Sequence, residues 1–387
     1  MKILHAIPSV DARSGGPIEG VKQMGAALQG MGHQVEVVSL DAPDDPWVKE
    51  FALPLHTTGP AKFGGYRYSP RWVPWLKQNA MHYDAVIVDG LWQYHGFGTW
   101  RALRNSKTPY YVFSHGMLDP WFKIHYPLKH LKKWCYWPWA EYRLLRDARS
   151  VLFTCEEEMI QARASFWLYR CRETVVPFGT RLPPQDSDRL RAHFFARHPD
   201  LQGKRLLLFL GRIHEKKGCD LLVTAFCKVA RQHPDLHLVL VGPDDAGATA
   251  GFMAEALAAG VGDKISWLGM LSGDDKWGAF HACDAFALPS HQENFGIAVA
   301  EAMGCTKPVL ISNKVNIWRE IVAGGGGLVG NDDLPGTLST LERWLSMSAE
   351  EGRNMGQRAM EIFRTHFTVE AMAQGMVDLI QRDAKQR

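Results

Sequence analysis

The sequence lacks the features that mark several large classes of protein. Its 387 residues carry a formal net charge of +3, which is too small to indicate a nucleic-acid partner. No apolar run approaches the roughly 20 residues of a transmembrane helix. The apolar start of the chain, residues 1–8, is too short for the core of a signal peptide. We therefore expect a cytoplasmic protein that does not bind nucleic acid.

Cysteine is scarce and irregularly placed. The seven cysteines form no disulfide framework, and no pair has the spacing of zinc ligands beside histidines. Cys155, Cys219, Cys283 and Cys305 all lie in or next to apolar runs. We predict that these thiols are reduced and mostly buried, as in a cytosolic protein, and that the chain has no structural metal.

Strand and helix patterns alternate along the whole chain, which predicts an α/β protein with doubly wound sheets. In the first half, strands are predicted at 3–7, 35–40, 85–88, 110–113, 150–154 and 174–176. In the second half they are predicted at 205–210, 237–241, 264–268, 285–288 and 308–312. A proline-rich, polar stretch at 182–188 separates the halves. The pattern predicts two Rossmann-like domains that face each other across a cleft.

Two carboxylates flank the start of an apolar helix in the second half. Glu293 follows the strand at 285–288, and Glu301 lies about two helical turns, or roughly 12 Å, further on. The amides of Phe295, Gly296 and Ile297 would be unpaired donors at the helix N-terminus, where a phosphate binds readily. This pattern indicates a ligand that joins phosphate to a sugar or ribose. The alternative is an ordinary helix-start acid at Glu293 and a solvated face at Glu301.

A basic loop follows the predicted strand at 205–210. The loop, residues 211–218, reads GRIHEKKG and leads directly into a helix pattern. Arg212 and Lys217 would both project over the carboxyl edge of the sheet, where two cations suit a diphosphate. The alternative is that Lys216 and Lys217 are an ordinary solvated pair.

With these motifs the chain resembles the retaining nucleotide-sugar glycosyltransferases of the GT-B fold, of the glycosyl transferases group 1 type, which include bacterial lipopolysaccharide and exopolysaccharide sugar transferases. The resemblance covers most of the chain and depends on the order and spacing of motifs that are individually weak. They lie at Gly15–Gly16, 211–218, 241–243, 267–270, 293–301, 307–309, 320–322 and 324–327.

The resemblance implies roles for four charged residues. Arg212 and Lys217 would hold the donor diphosphate and neutralise the charge of the departing nucleotide. Glu301 would accept hydrogen bonds from the ribose hydroxyls, and Glu293 would contact the transferred sugar. The remaining donor contacts that the resemblance implies are backbone groups and glycines, at Gly15, Gly16, Met270, Leu271, Phe295, Gly296 and Ile297.

The resemblance also implies an organisation and a reaction. Residues 1–182 would bind the acceptor, 183–368 would bind the nucleotide sugar, and 369–387 would form a helix that returns to the first domain. The reaction would move a hexose, with retention and without a divalent metal, from a UDP- or GDP-sugar to a glycan hydroxyl. The acceptor would belong to surface polysaccharide synthesis, such as O-antigen or exopolysaccharide.

One position departs from the family pattern. The family usually has glycine two residues before the proline that corresponds to Pro308, and this chain has Thr306 there. Because Gly304 lies close by, we interpret the difference as a shifted turn.

Two other functions remain as alternatives. An NAD-dependent dehydrogenase is suggested by Gly15, Gly16 and Gly20 after the first strand and by Asp41 after the second, although the glycine spacing differs from that fingerprint. The second alternative is a catalytically silent subunit that binds a sugar nucleotide. His115, after the strand at 110–113, favours catalysis over silence, and its alternative is a structural turn histidine. Asp244–Asp245 is a weaker candidate for a metal site.

Tryptophans and lysines cluster between residues 121 and 142, where 129–139 reads KHLKKWCYWPW. Such a composition suits the interface of an anionic membrane. The segment predicts peripheral contact with the cytosolic face of the inner membrane and a polyprenyl-linked glycan acceptor. The alternative is a core helix with a basic outer face.

Overall fold

A computed structural model describes residues 1–11, 13, 16–244 and 247–386. The chain forms two compact units, of which the first comprises Met1–Gly179 and Val369–Arg387 and the second comprises Thr180–Thr368. The change from one unit to the other thus falls just before the proline-rich stretch.

The first unit is built on a parallel sheet of seven strands in the order β3-β2-β1-β4-β5-β6-β7. Its inner strands are buried runs of aliphatic and aromatic residues, as expected for a sheet covered by helices on both faces. The strands are β1 (Lys2–Ile7), β2 (Gln34–Ser39), β3 (Leu55–Thr57), β4 (Ala85–Asp89), β5 (Tyr110–Phe113), β6 (Ser150–Phe153) and β7 (Glu173–Val175).

Nine α-helices accompany this sheet in the described part of the unit, and the last of them comes from the far end of the chain. They are α1 (Gly16–Gly30), α2 (Pro46–Lys49), α3 (Trp72–Asn79), α4 (Tyr94–Leu103), α5 (Trp121–His125), α6 (Pro127–Tyr136), α7 (Glu141–Asp147), α8 (Glu156–Ala162) and α17 (Val369–Lys385). Helix α17 packs on α1, and Tyr111 of β5 donates a hydrogen bond of 3.0 Å to Asp383. The carboxyl-terminal helix therefore belongs to the first unit.

The second unit contains a parallel sheet of six strands in the order β10-β9-β8-β11-β12-β13. Its strands are β8 (Arg205–Leu210), β9 (Leu236–Val241), β10 (Ile265–Trp267), β11 (Ala285–Leu288), β12 (Val309–Ser312) and β13 (Gly327–Gly330). Its helices are α9 (Ser187–Arg197), α10 (Cys219–Val229), α11 (Ala248–Ala258), α12 (Gly273–Ala282), α13 (Ile297–Gly304), α14 (Trp318–Gly324), α15 (Leu334–Leu345) and α16 (Ala349–His366).

Both sheets reverse their strand order at one place. In the first unit the reversal lies between β1 and β4, and in the second it lies between β8 and β11. Loops that leave neighbouring strands at such a point run to opposite faces of the sheet and open a crevice, which is where ligands bind in doubly wound folds. The α/β class and the two parallel sheets predicted from the sequence are confirmed.

Two edge strands were not predicted. Strand β3 has only three residues, and β13 has glycine at both ends, although glycine is depleted in strands. Gly327 is required because a Cβ there would collide with the carbonyl oxygen of Val309 in β12.

The prediction that the cysteines in or next to apolar runs are reduced and buried is confirmed. Cys155, Cys219, Cys283 and Cys305 are all buried free thiols.

The end of α13 corrects our interpretation of Thr306. Thr306 itself has φ of +61°, the left-handed conformation that glycine favours, whereas Gly304 lies within the helix. The Thr306 amide donates to Met303 and the Lys307 amide donates to Ala302, the two bonds of a Schellman ending. The turn is therefore not shifted, and threonine occupies the position of the family's glycine.

Candidate functional site

The loops that leave β8 and β11 pack against each other at the strand reversal of the second unit. Gly218 has φ of +67°, and a Cβ there would collide with the carbonyl oxygen of Pro289. The amide of His291 donates to the carbonyl of Lys216 at 2.9 Å. Glycine at 218 thus lets the basic loop lie directly beside the segment that leads to Glu293.

The structure brings Lys217 and Glu293 together as an ion pair between Nζ and Oε2. Two hydrogen bonds fix the backbone of Glu293. Its amide donates to the Lys314 carbonyl at 2.9 Å, and its carbonyl accepts from the Asn316 amide at 3.0 Å. The two charged side chains retain 21% and 19% of their exposure, respectively. This pair is therefore rigidly placed and still accessible to a ligand.

Helix α13 begins at Ile297, directly after Gly296, which has φ of +76°. The first amides of the helix, at Ile297 and Ala298, have no carbonyl within the helix to bond, so they form a positive end beside Glu293. The side chain of Phe295 is buried and its ring packs edge-on against Phe367 at 5.5 Å. The phenylalanine anchors the segment that presents these amides.

Glu301 lies on α13 and is 7% exposed, so the alternative of a solvated face is wrong. Its Oε1 lies 2.6 Å from Nζ of Lys276 on α12. Burial raises the pKa of the Glu301 carboxyl, and the charge of Lys276 opposes that rise. Lys276 was not predicted from the sequence, because it stands in a polar helix start with Asp274 and Asp275 and no pattern marks it.

Arg212 is exposed in the loop after β8, the same loop that carries Lys217. Met270 is 76% exposed and Leu271 is half-buried, and both follow β10, two strands from β8 along the sheet edge. A hydrogen bond of 2.8 Å from the Gly242 amide to the Gly269 carbonyl joins the segments that follow β9 and β10 at this edge. The predicted donor residues of the second unit thus follow β8, β10 and β11, and Lys217 and Glu293 are a pair among them.

Asp244 caps a helix. Its carboxylate accepts hydrogen bonds of 2.8 Å from the amides of Ala248 and Thr249 at the start of α11. These bonds occupy both carboxylate oxygens. Asp245 lies outside the described residues.

A cavity of about 270 Å³ occupies the strand reversal of the first unit, between the ends of β1 and β4. Its lining includes the apolar Pro8 and Ile18 and the polar Asp89, Gln93 and Arg67. The cavity combines apolar walls with a few polar groups, as small-molecule sites do.

Asp89, at the end of β4, is buried between two histidines. Nδ1 of His5 lies 2.7 Å from one carboxylate oxygen, and Nε2 of His115 lies 3.1 Å from the other. Burial alone would raise the Asp89 pKa, but the two imidazoles outweigh it and hold the pKa below its usual value. His115 therefore belongs to a buried polar chain that ends at the cavity wall.

The turn that carries His115 has a strained backbone and is held by hydrogen bonds to a buried carboxylate. His115 has φ of +48°, which is uncommon for a residue other than glycine. The buried carboxylate of Glu158 accepts bonds of 2.7 Å from Ser114 Oγ and 2.6 Å from the Gly116 amide. Strain held in place in this way is typical of functional sites. His5, Asp89 and Glu158 were not predicted from the sequence.

The glycine motif after β1 is only partly described. Gly16 begins α1, and Gly15 lies outside the described residues. Asp41, the acid of the dehydrogenase alternative, is fully buried, and its carboxylate binds Ser9 Oγ, the Val10 amide and Arg67. It acts as a clamp between loops and is not available to a ribose.

The segment 121–142 divides into a core part and an exposed part. Trp137 is fully buried and stacks on Phe166 at 4.1 Å, so this tryptophan belongs to the core. Lys133 lies over the ring of Trp92 at 4.4 Å, and burial lowers its pKa to about 8. By contrast, large apolar side chains are exposed on and beside α6, at Leu128, Leu131, Trp134, Trp139 and Trp167. In the part of the chain that the structure describes, no helix is both long and apolar enough to span a bilayer.

Family models match both halves of the chain. Residues 15–179 match the glycosyl transferase 4-like domain, and residues 191–361 match the glycosyl transferases group 1 model. A D-inositol 3-phosphate glycosyltransferase from Segniliparus rotundus is 30% identical over 185 residues, which are 45% of this chain and 39% of that protein. A phosphatidyl-myo-inositol mannosyltransferase from Propionibacterium freudenreichii is 28% identical over 152 residues, 39% of this chain and 36% of that protein. The chain thus aligns with about two fifths of the length of these relatives.

Solved structures share the fold over the full chain. A sucrose-phosphate synthase from Thermosynechococcus elongatus superposes with a TM-score of 0.75, at 20% identity, and covers 100% of both chains. Anabaena HepE, solved in complex with UDP, has a TM-score of 0.76 at 18% identity and covers 99% of this chain and 100% of its own. These likenesses show a GT-B fold. With both halves matched by glycosyltransferase models, the chain belongs to the glycosyl transferases group 1 family.

Proposed function

We propose that this protein transfers a hexose from a nucleoside diphosphate sugar to a hydroxyl of a glycan acceptor, with retention of configuration and without a divalent metal. The observation that carries the proposal is the Lys217–Glu293 pair beside the start of α13, at the strand reversal of the second unit. That place combines a cation for phosphate with a carboxylate for sugar hydroxyls.

The donor site follows from this geometry. Lys217 and Arg212 bind the diphosphate, and the amides of Gly296, Ile297 and Ala298 provide further positive charge. Glu293 accepts a hydrogen bond from a hydroxyl of the transferred sugar. It does not act as a nucleophile, because the ion pair with Lys217 neutralises much of its charge. Met270 and Leu271, at the β10 end of the same sheet edge, lie against the base.

The chemistry is leaving-group stabilisation. The bond between the anomeric carbon and the diphosphate oxygen breaks, the acceptor oxygen bonds to that carbon on the same face, and its proton passes to the departing phosphate. Arg212, Lys217 and the helix amides stabilise the negative charge that develops on the diphosphate, which is the task that a metal performs in other transferases.

We place the acceptor hydroxyl in the cavity of the first unit. Its wall carries Asp89, and His115 on that carboxylate provides a positioned imidazole for the acceptor or the sugar. The strained turn at His115 and its support by Glu158 favour catalysis over a silent binding subunit.

We further propose that the acceptor is lipid-linked, within surface polysaccharide synthesis, and that α6 rests on an anionic membrane. Leu128 and Leu131 are 82% and 62% exposed on α6, and Trp134 stacks on the exposed Trp167 with 5.7 Å between ring centroids. Exposed lysines at 129 and 132 lie on the same helix. Exposed tryptophans beside lysines suit the boundary between headgroups and acyl chains.

The first experiment is a thermal-shift panel of UDP- and GDP-sugars, since a ligand bound at 100 times its Kd stabilises by about 2.7 kcal/mol. Release of free sugar and transfer to a polyprenyl-linked glycan are measured with the donor that binds. Because two relatives are named for inositol-based acceptors, inositol 3-phosphate serves as the comparison acceptor. Binding without any sugar release or transfer would indicate the silent subunit instead.

The donor site is tested with Arg212→Ala and Lys217→Ala. Each variant loses a charge-assisted contact to phosphate and is expected to bind UDP or GDP about tenfold more weakly or worse. Lys228→Ala, an exposed lysine on α10, is the control. Unchanged nucleotide affinity in both variants would refute the assignment, and loss of activity in EDTA that magnesium or manganese restores would refute metal independence.

A further inference from the structure

Lys276 and Glu301 form the second lysine–glutamate pair of the nucleotide-binding unit, and no role has been assigned to the lysine. Its Nζ lies 2.6 Å from Glu301 Oε1, and it also lies 4.4 Å from the ring centroid of Trp277. The side chains of the lysine and the glutamate are 23% and 9% exposed. An ion pair this short, between two largely buried side chains, fixes the positions of the ammonium and the carboxylate.

The pair is needed because Glu301 lies on an otherwise apolar helix. Five of the six buried residues of α13 are alanine, valine, methionine or glycine, and Glu301 is the sixth. The thiol of Cys283 and the ammonium of Lys307 act on the neighbouring thiol of Cys305, as Glu301 and Lys276 also do, and Nε2 of His281 lies 3.8 Å from that thiol. Lys276 is the group that touches the carboxylate, so its removal would leave a buried acid without a direct partner.

We propose that Lys276 and Glu301 together read the vicinal diol of the donor ribose, so that Lys276 is a specificity-determining residue. This inference rests on the proposed function. Lys276 occupies Oε1, which leaves Oε2 of Glu301 to accept a proton from one ribose hydroxyl. An ammonium has three donors, so two remain to donate to a hydroxyl oxygen. A diol offers a separate hydroxyl to the carboxylate and to the ammonium, whereas a 2′-deoxyribose has a single hydroxyl for both.

The test compares UDP and GDP with their 2′-deoxy counterparts by calorimetry, near pH 6 and near pH 8. The wild type is expected to prefer the ribose form about tenfold, the value of one hydrogen bond to a charged group. Lys276→Met removes the ammonium but keeps an unbranched side chain of similar length, and it is expected to reduce that preference to about threefold or less. Lys276→Arg retains the positive charge and is expected to retain most of the preference.

A pH effect separates recognition from packing. Burial raises the Glu301 pKa and Lys276 opposes the rise, so without the lysine the carboxyl binds a proton at higher pH. Relative to the wild type at the same pH, Lys276→Met is therefore expected to lose more affinity for UDP or GDP near pH 6 than near pH 8, and adding Glu301→Gln to it should abolish that extra loss. A lysine that served packing alone would lower the melting temperature and leave both readouts unchanged.

The outcomes are distinguishable. If neither UDP nor GDP binds the wild type, both the proposed function and this inference are overturned. If the wild type binds but Lys276→Met keeps the ribose preference and the pH profile, only the inference is overturned. Should Lys276→Met fail to fold, the neutral Lys276→Gln provides the same two readouts.

Discussion

Lys217 and Lys276 each hold one glutamate of the second unit, and in the proposed donor site the two pairs serve different parts of the donor. We expect Glu301→Gln to weaken nucleotide affinity with little change in kcat, because the ribose is bound equally in the ground and transition states. Glu293→Gln is expected to lower kcat, because only Glu293 contacts the sugar that changes during the reaction.

Steady-state kinetics and nucleotide calorimetry measure this division, with the exposed Glu342→Gln as the control. Equal losses of kcat and affinity in both variants would contradict it.

Thr306 offers a prediction about stability at a single residue. It is exposed and holds φ of +61°, a conformation that disfavours β-branched residues. Thr306→Gly is expected to raise the free energy of unfolding of the second unit by about 1 kcal/mol, because glycine adopts this conformation without strain. Thr306→Ala, which keeps a Cβ, should gain much less, and chemical denaturation compares the two. A gain in the alanine variant equal to that of glycine would exclude backbone strain as the cause.

Among the elements, α6 carries the membrane proposal. Leu128→Ser, Leu131→Ser and Trp134→Ser together are expected to abolish sedimentation with anionic vesicles, because the exposed apolar surface of the helix is removed. The melting temperature should stay within about 2 °C, since a surface substitution usually changes stability by no more than 0.5 kcal/mol.

The matched control is Leu257→Ser with Val322→Ser, two residues that are 75% and 50% exposed in the other unit. Higher salt should weaken vesicle binding as it screens Lys129 and Lys132. Vesicle binding that survives in the triple variant would place the contact elsewhere.

The elements also show what a sequence can and cannot reveal. The start of α13 was predictable because Glu293, Gly296 and the apolar run that follows are close neighbours in the chain. The partner of Glu301 was not, because Lys276 lies 25 positions away on another helix and reaches the carboxylate only through packing.

The same holds for Asp89 and His115, which are 26 positions apart. Their contact depends on the parallel pairing of β4 and β5, which places the ends of the two strands side by side. Local patterns therefore predicted every strand in the described part of the chain except β3 and β13, whereas side-chain partners between elements remained hidden.

At the scale of the whole molecule, the first unit depends on α17. Asp383 is 5% exposed, and it accepts the hydrogen bond from Tyr111 and pairs with Arg149 at 3.2 Å. Asp383→Ala is expected to lower the stability of the first unit by about 2 kcal/mol, because a buried phenol and a guanidinium each lose a hydrogen bond to the carboxylate. Hydrogen exchange should increase in the first unit and remain unchanged in residues 180–368.

Asp378→Ala, an exposed position on the same helix, is the control for Asp383→Ala. Faster exchange spread equally over both units would contradict this division.

The split composition of the first unit has a consequence for how the chain is made. A ribosome completes α1, Tyr111 and Arg149 early, but it must then synthesise the 189 residues from Thr180 to Thr368 before α17 emerges. At about 5–20 residues per second, that interval lasts roughly 10 to 40 s. During this time the part of α1 that packs against α17 has no cover and is open to chaperones and to aggregation. The second unit is contiguous, so we expect it to complete its fold before the first unit does, although its synthesis begins later.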